Sequence, residues 1–232
     1  MRKFWGECRN DRYFVGCGGA TVYIYDLNGK ELGKFKDIPY AYRAVFKPGS
    51  NIIGVKSTGG QLAFYDLDTM TLLKKITVTR QGAQDEGFAF TPDGKYFYNI
   101  EKPLRSTESE LGIYETENYT KVHTLFKGEE NMKLDWVEFD KETGKCYFLG
   151  CFRHGEMSGV FVSKFDTEKL VMSRIFPRVS IEALRSVGAY KRWESYGFSQ
   201  KKLEQFPSYA NIAPVTIKEV FDTLAAGDGT QE

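Results

Sequence analysis

The stretch Phe88-Ala-Phe-Thr-Pro-Asp-Gly-Lys95, which continues directly into Tyr-Phe-Tyr-Asn-Ile at 96–100, holds two strand-forming segments around a tight turn. Proline presets φ at the first turn position, and glycine accepts the positive φ that ends the turn. Aromatic and β-branched side chains favour extended, pleated backbone on both sides of the turn. The stretch therefore predicts a strand, a reversal and a second strand.

Related phrases occur elsewhere in the chain, and each combines a strand-forming run, turn residues and a second run. The copies are 44–50 leading into 52–56, 136–140 leading through 143–145 into 146–149, and a degenerate version at 3–9, 10–12 and 13–17. The chain is also 15% aromatic, with 18 Phe and 14 Tyr, which favours sheet over helix.

A second phrase, which ends in an aromatic residue followed by an acid, closes a later strand in each unit. Its copies are Val-Tyr-Ile-Tyr-Asp at 22–26, Leu-Ala-Phe-Tyr-Asp at 62–66, Leu-Gly-Ile-Tyr-Glu at 111–115 and Val-Phe-Val-Ser-Lys-Phe-Asp at 160–166. After each copy comes a polar turn and another extended run, at 31–35, 72–78, 121–126 and 170–176. A period of about 40 to 50 residues is typical of propeller blades. Each unit is thus predicted to be four antiparallel strands in meander order.

This pair of phrases resembles the WD-repeat and YVTN-type β-propeller families over residues 3–178. The resemblance implies an all-β, propeller-like array of about four four-stranded antiparallel blades. The Gly-His pair and the Trp-Asp ending of WD repeats are absent, and Tyr-Asp, Tyr-Glu or Phe-Asp replaces the latter. A β-sandwich with similar hairpins is the alternative fold.

The periodic pattern changes from residue 180, so two domains are predicted: a repeat domain at 1–179 and a helical tail at 180–232. Ser180 and Ser199 are suitable N-caps, and Thr216 with Glu219 forms a capping box. Three short amphipathic helices bury little surface alone. We therefore expect the tail to pack on the blades or on a partner.

The order of strands suggests that the flanks of the first and last units lack cover. The first unit opens on its innermost strand and the fourth closes on its outermost one, so neither completes the other. Aromatic flanks would then form exposed apolar patches, which mark interaction sites. Three arrangements follow: four blades close on themselves, two chains join by a two-fold axis into an eight-bladed ring, or the tail caps the flank.

Charge and cysteine content restrict the partner and the compartment. There are 32 basic and 31 acidic side chains, for a formal net charge of +1. This balance provides no long-range field, so neither nucleic acid nor membrane is expected as a partner. The N-terminus lacks the apolar region of a secretory signal, and four scattered cysteines do not form a disulfide framework. We expect a cytoplasmic protein with reduced thiols.

Longer loops between the predicted strands hold the residues best suited to bind a partner. If the propeller resemblance holds, the loops at 37–42, 79–86, 102–110, 128–133 and 153–158 share one face. Tyr and Arg are enriched at binding hot spots because they combine contact area with directional polar groups. The partner-binding candidates are Tyr40, Tyr42, Arg80, Gln81, Arg105, Arg153 and His154.

The sequence offers no motif for catalysis, a cofactor or a metal. Only two histidines are present, and no nucleophile elbow, Walker loop or dinucleotide fingerprint occurs. Cys146 and Cys151 lie five residues apart along a strand, which puts them on opposite faces and argues against a zinc site with His154. The prediction is a non-catalytic protein-binding scaffold that uses the long-loop face or an open blade flank. Its alternatives are a metal-dependent hydrolase or lactonase of propeller type, and a structural protomer of a homo-oligomeric propeller.

Overall fold

A computed structural model describes residues 3–80, 84, 87–102, 109–128, 132–140, 143–154 and 157–176. Within these ranges the secondary structure consists of sixteen strands, and no helix is present. Consequently, this part of the chain has no helix with the length and apolarity required to cross a bilayer. The predicted helical tail at 180–232 lies outside the described residues.

The sixteen strands form four four-stranded antiparallel sheets, and in each sheet the strands pair in chain order. The first two sheets contain β1 (Gly6–Arg9), β2 (Tyr13–Cys17), β3 (Val22–Asp26) and β4 (Glu31–Phe35), then β5 (Ala41–Phe46), β6 (Ile52–Ser57), β7 (Gln61–Asp66) and β8 (Thr71–Thr77). The third and fourth contain β9 (Phe88–Phe90), β10 (Tyr96–Glu101), β11 (Glu110–Glu115) and β12 (Lys121–Leu125), then β13 (Met132–Phe139), β14 (Cys146–His154), β15 (Met157–Asp166) and β16 (Val171–Phe176). These sheets confirm the predicted fold class, an all-β propeller-like array of blades.

Strand boundaries agree best with prediction in the first sheet and least in the fourth. Strands β2, β3 and β4 begin and end at the predicted residues. In the fourth sheet, β14 and β15 continue in register through the pairs Arg153↔Ser158 and His154↔Met157. Only residues 155 and 156 separate the two strands, so the long loop predicted at 153–158 is wrong. Cross-strand pairing extends the hairpin through polar residues that suggested a loop.

The aspartate that ends the third strand of the first, second and fourth sheets stabilises the turn that follows it. One Asp166 carboxylate oxygen accepts hydrogen bonds from the backbone amides of Glu168 at 3.0 Å and Lys169 at 2.9 Å. These bonds, that of Lys169 first, hold the pKa of Asp166 below its ordinary value. Asp26 and Asp66 hold the turns that follow them in the same way. The aromatic-acid phrase is therefore a turn device as well as a strand ending.

The aromatic residue before that acid also has a fixed position. In the first, second and fourth sheets, the pairing of the third and fourth strands shifts register immediately before it. The shifts fall between Ile24 and Tyr25, between Phe64 and Tyr65, and between Lys164 and Phe165. Tyr25, Tyr65 and Phe165 are thus equivalent positions of one structural repeat.

The chain divides into two compact units, one comprising residues 1–106 and 112–123, the other 107–111 and 124–232. In the first unit, the first and second sheets share a core that includes Val15, Ile24, Ile53, Val55 and Tyr65. Burial of these side chains is the main contribution to their association.

Polar groups add to the contact between these two sheets. The carboxylate of Asp68, after β7, accepts hydrogen bonds from Asn51 at 2.9 Å and from the Tyr13 hydroxyl at 3.1 Å, and it pairs with Arg12 at 2.8 Å. The side-chain amide of Asn51 belongs to the second sheet, whereas Tyr13 and Arg12 come from the first. Asp68 thereby joins the two sheets at the turns that end β1, β5 and β7.

The second and third sheets pack through an aromatic core in the same unit. Phe64, Phe88, Phe90, Phe97 and Tyr114 are all buried in it. The ring of Phe97 contacts Phe90 at 4.8 Å and Phe64 at 5.0 Å between centroids, both edge to face. This is the packing geometry that aromatic quadrupoles favour.

The second unit contains the fourth sheet and has its own aromatic cluster. The rings of Phe126, Phe148 and Phe165 meet edge to face, with centroids 5.2 to 6.3 Å apart. The Leu134 amide donates a short hydrogen bond to the buried hydroxyl of Ser109. These contacts give the unit a packed interior.

Candidate functional site

The predicted binding residues occupy different environments. Tyr40 is 66% exposed in the loop before β5, and Arg80 is exposed after β8. Tyr42 is instead part of β5 and packs against the core of the second and third sheets. Arg153 and His154 belong to β14 rather than to a loop, and Gln81 and Arg105 lie outside the described residues.

The first sheet has two faces with different partners. Along β2 and β3, the side chains of Val15 and Ile24 enter the core shared with the second sheet. Because neighbouring strand residues point to opposite faces, Phe14 and Tyr25 lie on the other face, where they are directly paired across the strands. That second face carries the candidate site.

Four half-buried rings, Phe4, Phe14, Tyr23 and Tyr25, form what we call the aromatic face. The Phe4 ring lies 6.0 Å from Phe14 and Tyr23, and 6.2 Å from Tyr25, between centroids. Phe4 packs directly over Gly16, where a Cβ atom would come within 2.6 Å of its ring. The glycine therefore allows Phe4 to lie flat on the sheet, and the four rings form one continuous apolar surface.

A groove of about 690 Å³ runs along this surface. The aromatic residues in it are Phe4, Phe14 and Tyr25; the others are Glu7, Arg9, Asp26, Leu27, Gly29 and Glu31. Three carboxylates and one guanidinium thus surround the rings, so the rim is acidic. Of the predicted partner-binding residues, the structure describes the side chains of Tyr40, Tyr42 and Arg80, and none of these three lines this groove.

Comparison with the second sheet shows what is unusual about the aromatic face. Tyr65, the repeat equivalent of Tyr25, has no exposed surface, and the Phe35 ring from the end of β4 stacks on it at 4.1 Å with a 20° interplanar angle. Phe165 is only 3% exposed. Tyr25 holds the same position but remains half-exposed in the groove.

The described thiols do not resemble nucleophiles. Burial raises the pKa of Cys17 to about 12 and that of Cys146 well above its ordinary value. Burial also raises the pKa of Cys8, with the neighbouring Cys17 as a second cause. A neutral thiol is a poor nucleophile and a poor metal ligand. In the part of the chain that the structure describes, no group of three or more His, Cys, Asp or Glu is placed to hold a metal ion.

Sequence reasoning anticipated an exposed aromatic flank but did not assign its residues. The available signal was the repeated phrase itself, because Tyr25 and Tyr65 end the same motif and must have equivalent orientations. The contribution of Phe4 carries no such signal, since it precedes β1 and its contacts depend on Gly16.

No family model matches this chain, and no curated protein matches it either. Among solved structures, the chain is similar to Kuenenia stuttgartiensis hydrazine synthase, with a TM-score of 0.59 and 13% sequence identity. The match covers 70% of this chain and 50% of that one. At this identity the likeness concerns the fold alone. Together with the four meander sheets, it supports a propeller-like all-β fold, without support for WD repeats specifically.

Proposed function

We propose that this chain is a non-catalytic protein-binding scaffold and that a protein partner binds the aromatic face of the first sheet. The observation that carries the proposal is the half-exposed ring of Tyr25, whose repeat equivalents Tyr65 and Phe165 are buried. Exposed apolar patches rimmed by polar groups mark interaction surfaces. Aromatic side chains are also enriched in the buried centres of protein interfaces.

The groove favours a partner segment that is both apolar and basic. The rings of Phe4, Phe14 and Tyr25 provide an apolar floor, while the acidic rim favours Lys or Arg on the partner. Complementary charge steers association and selects among partners of similar shape. An extended strand with an aromatic or branched apolar residue meets these requirements, because Phe35 covers Tyr65 in that way.

Covering the rings would contribute substantially to binding. A fully buried Phe or Tyr removes about 150–250 Å² from water. A partner that covers a third of each of the three rings in the groove therefore removes roughly 200 Å² of apolar surface from water. At about 25 cal/mol per Å², this contributes about 5 kcal/mol before the costs of association. The aromatic face can therefore anchor a partner, but it needs additional contacts for tight binding.

Selection of random peptides displayed on phage against the intact chain tests the proposed face. We expect enrichment of peptides with aromatic and basic residues, and loss of their binding when Tyr25→Ser removes the ring. Tyr96→Ser is a matched control, because Tyr96 is 41% exposed but lies on the third sheet. Hydrogen exchange of β1 and β3 should slow in the peptide complexes.

Peptides that bind the wild type and Tyr25→Ser equally well would contradict the proposal. The predicted loop surface is the main competitor, because Tyr40 is exposed and adopts a φ of 55°, a backbone strain that is common at functional sites. Peptides whose binding depends on Tyr40 or Arg80, and not on Tyr25, would move the site to the loops.

Two other parts of the functional prediction are the alternative of a metal-dependent hydrolase and the cytoplasmic location. A metal-dependent hydrolase would need a convergent set of ligands, and no group among the described side chains supports one. The cytoplasm remains the proposed compartment, because Cys8, Cys17 and Cys146 are free thiols.

A further inference from the structure

We propose that the partner of the aromatic face is the fourth sheet of a second copy of this chain. This inference rests on the proposed function, since it names the occupant of the same surface. Within the first unit, the first sheet covers the second through the end of β4. There, Phe35 ends the outermost strand of the first sheet, pairs with Val22 in register and stacks on Tyr65 of the second sheet.

The fourth sheet repeats the backbone arrangement that places Phe35. In β15 and β16, Phe176 pairs with Val162, and the register shifts between Lys164 and Phe165. In β3 and β4, the corresponding pair is Val22↔Phe35 and the shift falls at the corresponding position. The outermost strand of the fourth sheet therefore ends on a Phe at the register position from which the first sheet covers its neighbour.

The charges of the two surfaces are complementary. Strand β16 contains Arg174 and no acidic residue, and Lys169 lies two residues before its first residue. The groove on the first sheet carries the carboxylates of Glu7, Asp26 and Glu31 against the single guanidinium of Arg9. An outermost strand with one basic residue and no acid thus meets an acidic groove, which favours this pairing over contact between two acidic surfaces.

A two-fold axis lets two copies make this contact twice. The first sheet of each copy then receives the fourth sheet of the other, and no first-sheet face is left uncovered. Two copies bring together eight of the sheets formed by the described residues, which is within the range of four to eight blades known for closed propellers. A closed dimer rather than an open chain of copies is therefore the expected assembly.

Measurement of the mass of the intact chain in solution, across the micromolar range, tests this inference. We expect twice the chain mass of 26.5 kDa at high concentration, and weaker association as salt is raised. Tyr25→Arg should weaken dimerisation by at least about tenfold. Glu7→Arg, at an exposed position that tolerates substitution, should weaken it by a smaller factor and reduce its salt dependence. Tyr96→Arg on the third sheet is the control and should dimerise like the wild type.

Hydrogen exchange identifies the surfaces involved, because dilution should release protection in β3 and β16 together. A chain that remains monomeric at all concentrations overturns the inference, as does a dimer that is unaffected by both Tyr25→Arg and Glu7→Arg. If the chain is monomeric but selected peptides still require Tyr25, only the second-copy occupant fails. If it is monomeric and no peptide requires Tyr25, the proposed binding face fails with it.

Discussion

Replacement of Glu101 tests whether a buried carboxylate holds the third sheet together. Glu101 is 3% exposed at the end of β10, and its carboxylate accepts a hydrogen bond from the Tyr114 hydroxyl at 2.5 Å. It also pairs with the Lys121 ammonium at 2.6 Å and receives a longer bond of 3.3 Å from the Asn99 amide. A Cβ atom on Gly112 would overlap this carboxylate. The acid therefore connects three consecutive strands, and Gly112 leaves the room that its carboxylate occupies.

The expected loss of stability follows from the groups that would lose the Glu101 carboxylate as a hydrogen-bond acceptor. Hydrogen bonds that involve a charged group contribute about 1.5–3 kcal/mol each. Glu101→Leu leaves Tyr114 and Asn99 buried without this acceptor, but Lys121 is a third exposed and can turn to water. We expect the free energy of unfolding to fall by about 3 kcal/mol, at the lower end of the range for breaking a buried pair. Glu101→Gln retains an acceptor for Tyr114 and should cost about half as much.

Urea unfolding followed by far-ultraviolet circular dichroism measures these differences. Glu117→Gln is the control, because this exposed glutamate lies in the turn after β11, and its replacement should change stability by less than about 0.5 kcal/mol. The reasoning is refuted if Glu101→Leu is as stable as the control, or if Glu101→Gln lowers the free energy of unfolding as much as Glu101→Leu does.

Three further expectations concern acid stability, thiol reactivity and turn geometry. Hydrogen bonding, first from Asn51, lowers the pKa of Asp68, so its contribution is present at neutral pH and is lost as pH falls below about 4. Melting temperatures should therefore decline less towards low pH in Asp68→Asn than in the wild type; parallel curves would contradict this. Because the pKa of Cys17 is raised to about 12, peptide mapping should find it alkylated by iodoacetamide only after unfolding, and rapid labelling of the native chain would count against its burial. Gly29→Ala should lower the free energy of unfolding by about 1–2 kcal/mol, because Gly29 has a φ of +83° that alanine adopts with strain. No atom lies near the added Cβ, so no steric clash adds to this loss. Gly60→Ala should cost more, because at a φ of +84° the Cβ also meets a neighbouring carbonyl; equal melting temperatures would refute the difference.

Local chemistry explains why much of the fold was predictable. The turns depend on neighbouring residues, as when Asp93 accepts a hydrogen bond from the Lys95 amide within the phrase that opens the third sheet. Such contacts do not depend on the rest of the chain, so strands such as β2 and β3 could be located to the residue. In the fourth sheet, by contrast, pairing between β14 and β15 continues through charged residues that locally favour a loop.

The candidate site was predictable only in outline. The strand order indicated an uncovered aromatic flank, and the repeated phrase placed Tyr25 and Tyr65 in equivalent positions. Choosing the residues required knowledge of packing, because Tyr42 and Tyr40 have the same side chain but only Tyr40 is largely exposed. The acidic rim also combines residues from β1 and β4, which are distant in sequence.

The sequence by itself determined the number of sheets, their meander order and most of their turns, because these depend on backbone preferences within a few residues. Only the tertiary structure decided which face of each sheet is covered. The corresponding phrases at 22–26 and 62–66 place Tyr25 and Tyr65 alike on their strands, yet Phe35 covers Tyr65 while Tyr25 borders a groove. Burial depends on the neighbouring sheet rather than on the residue itself, and that neighbour distinguishes a core position from a binding face.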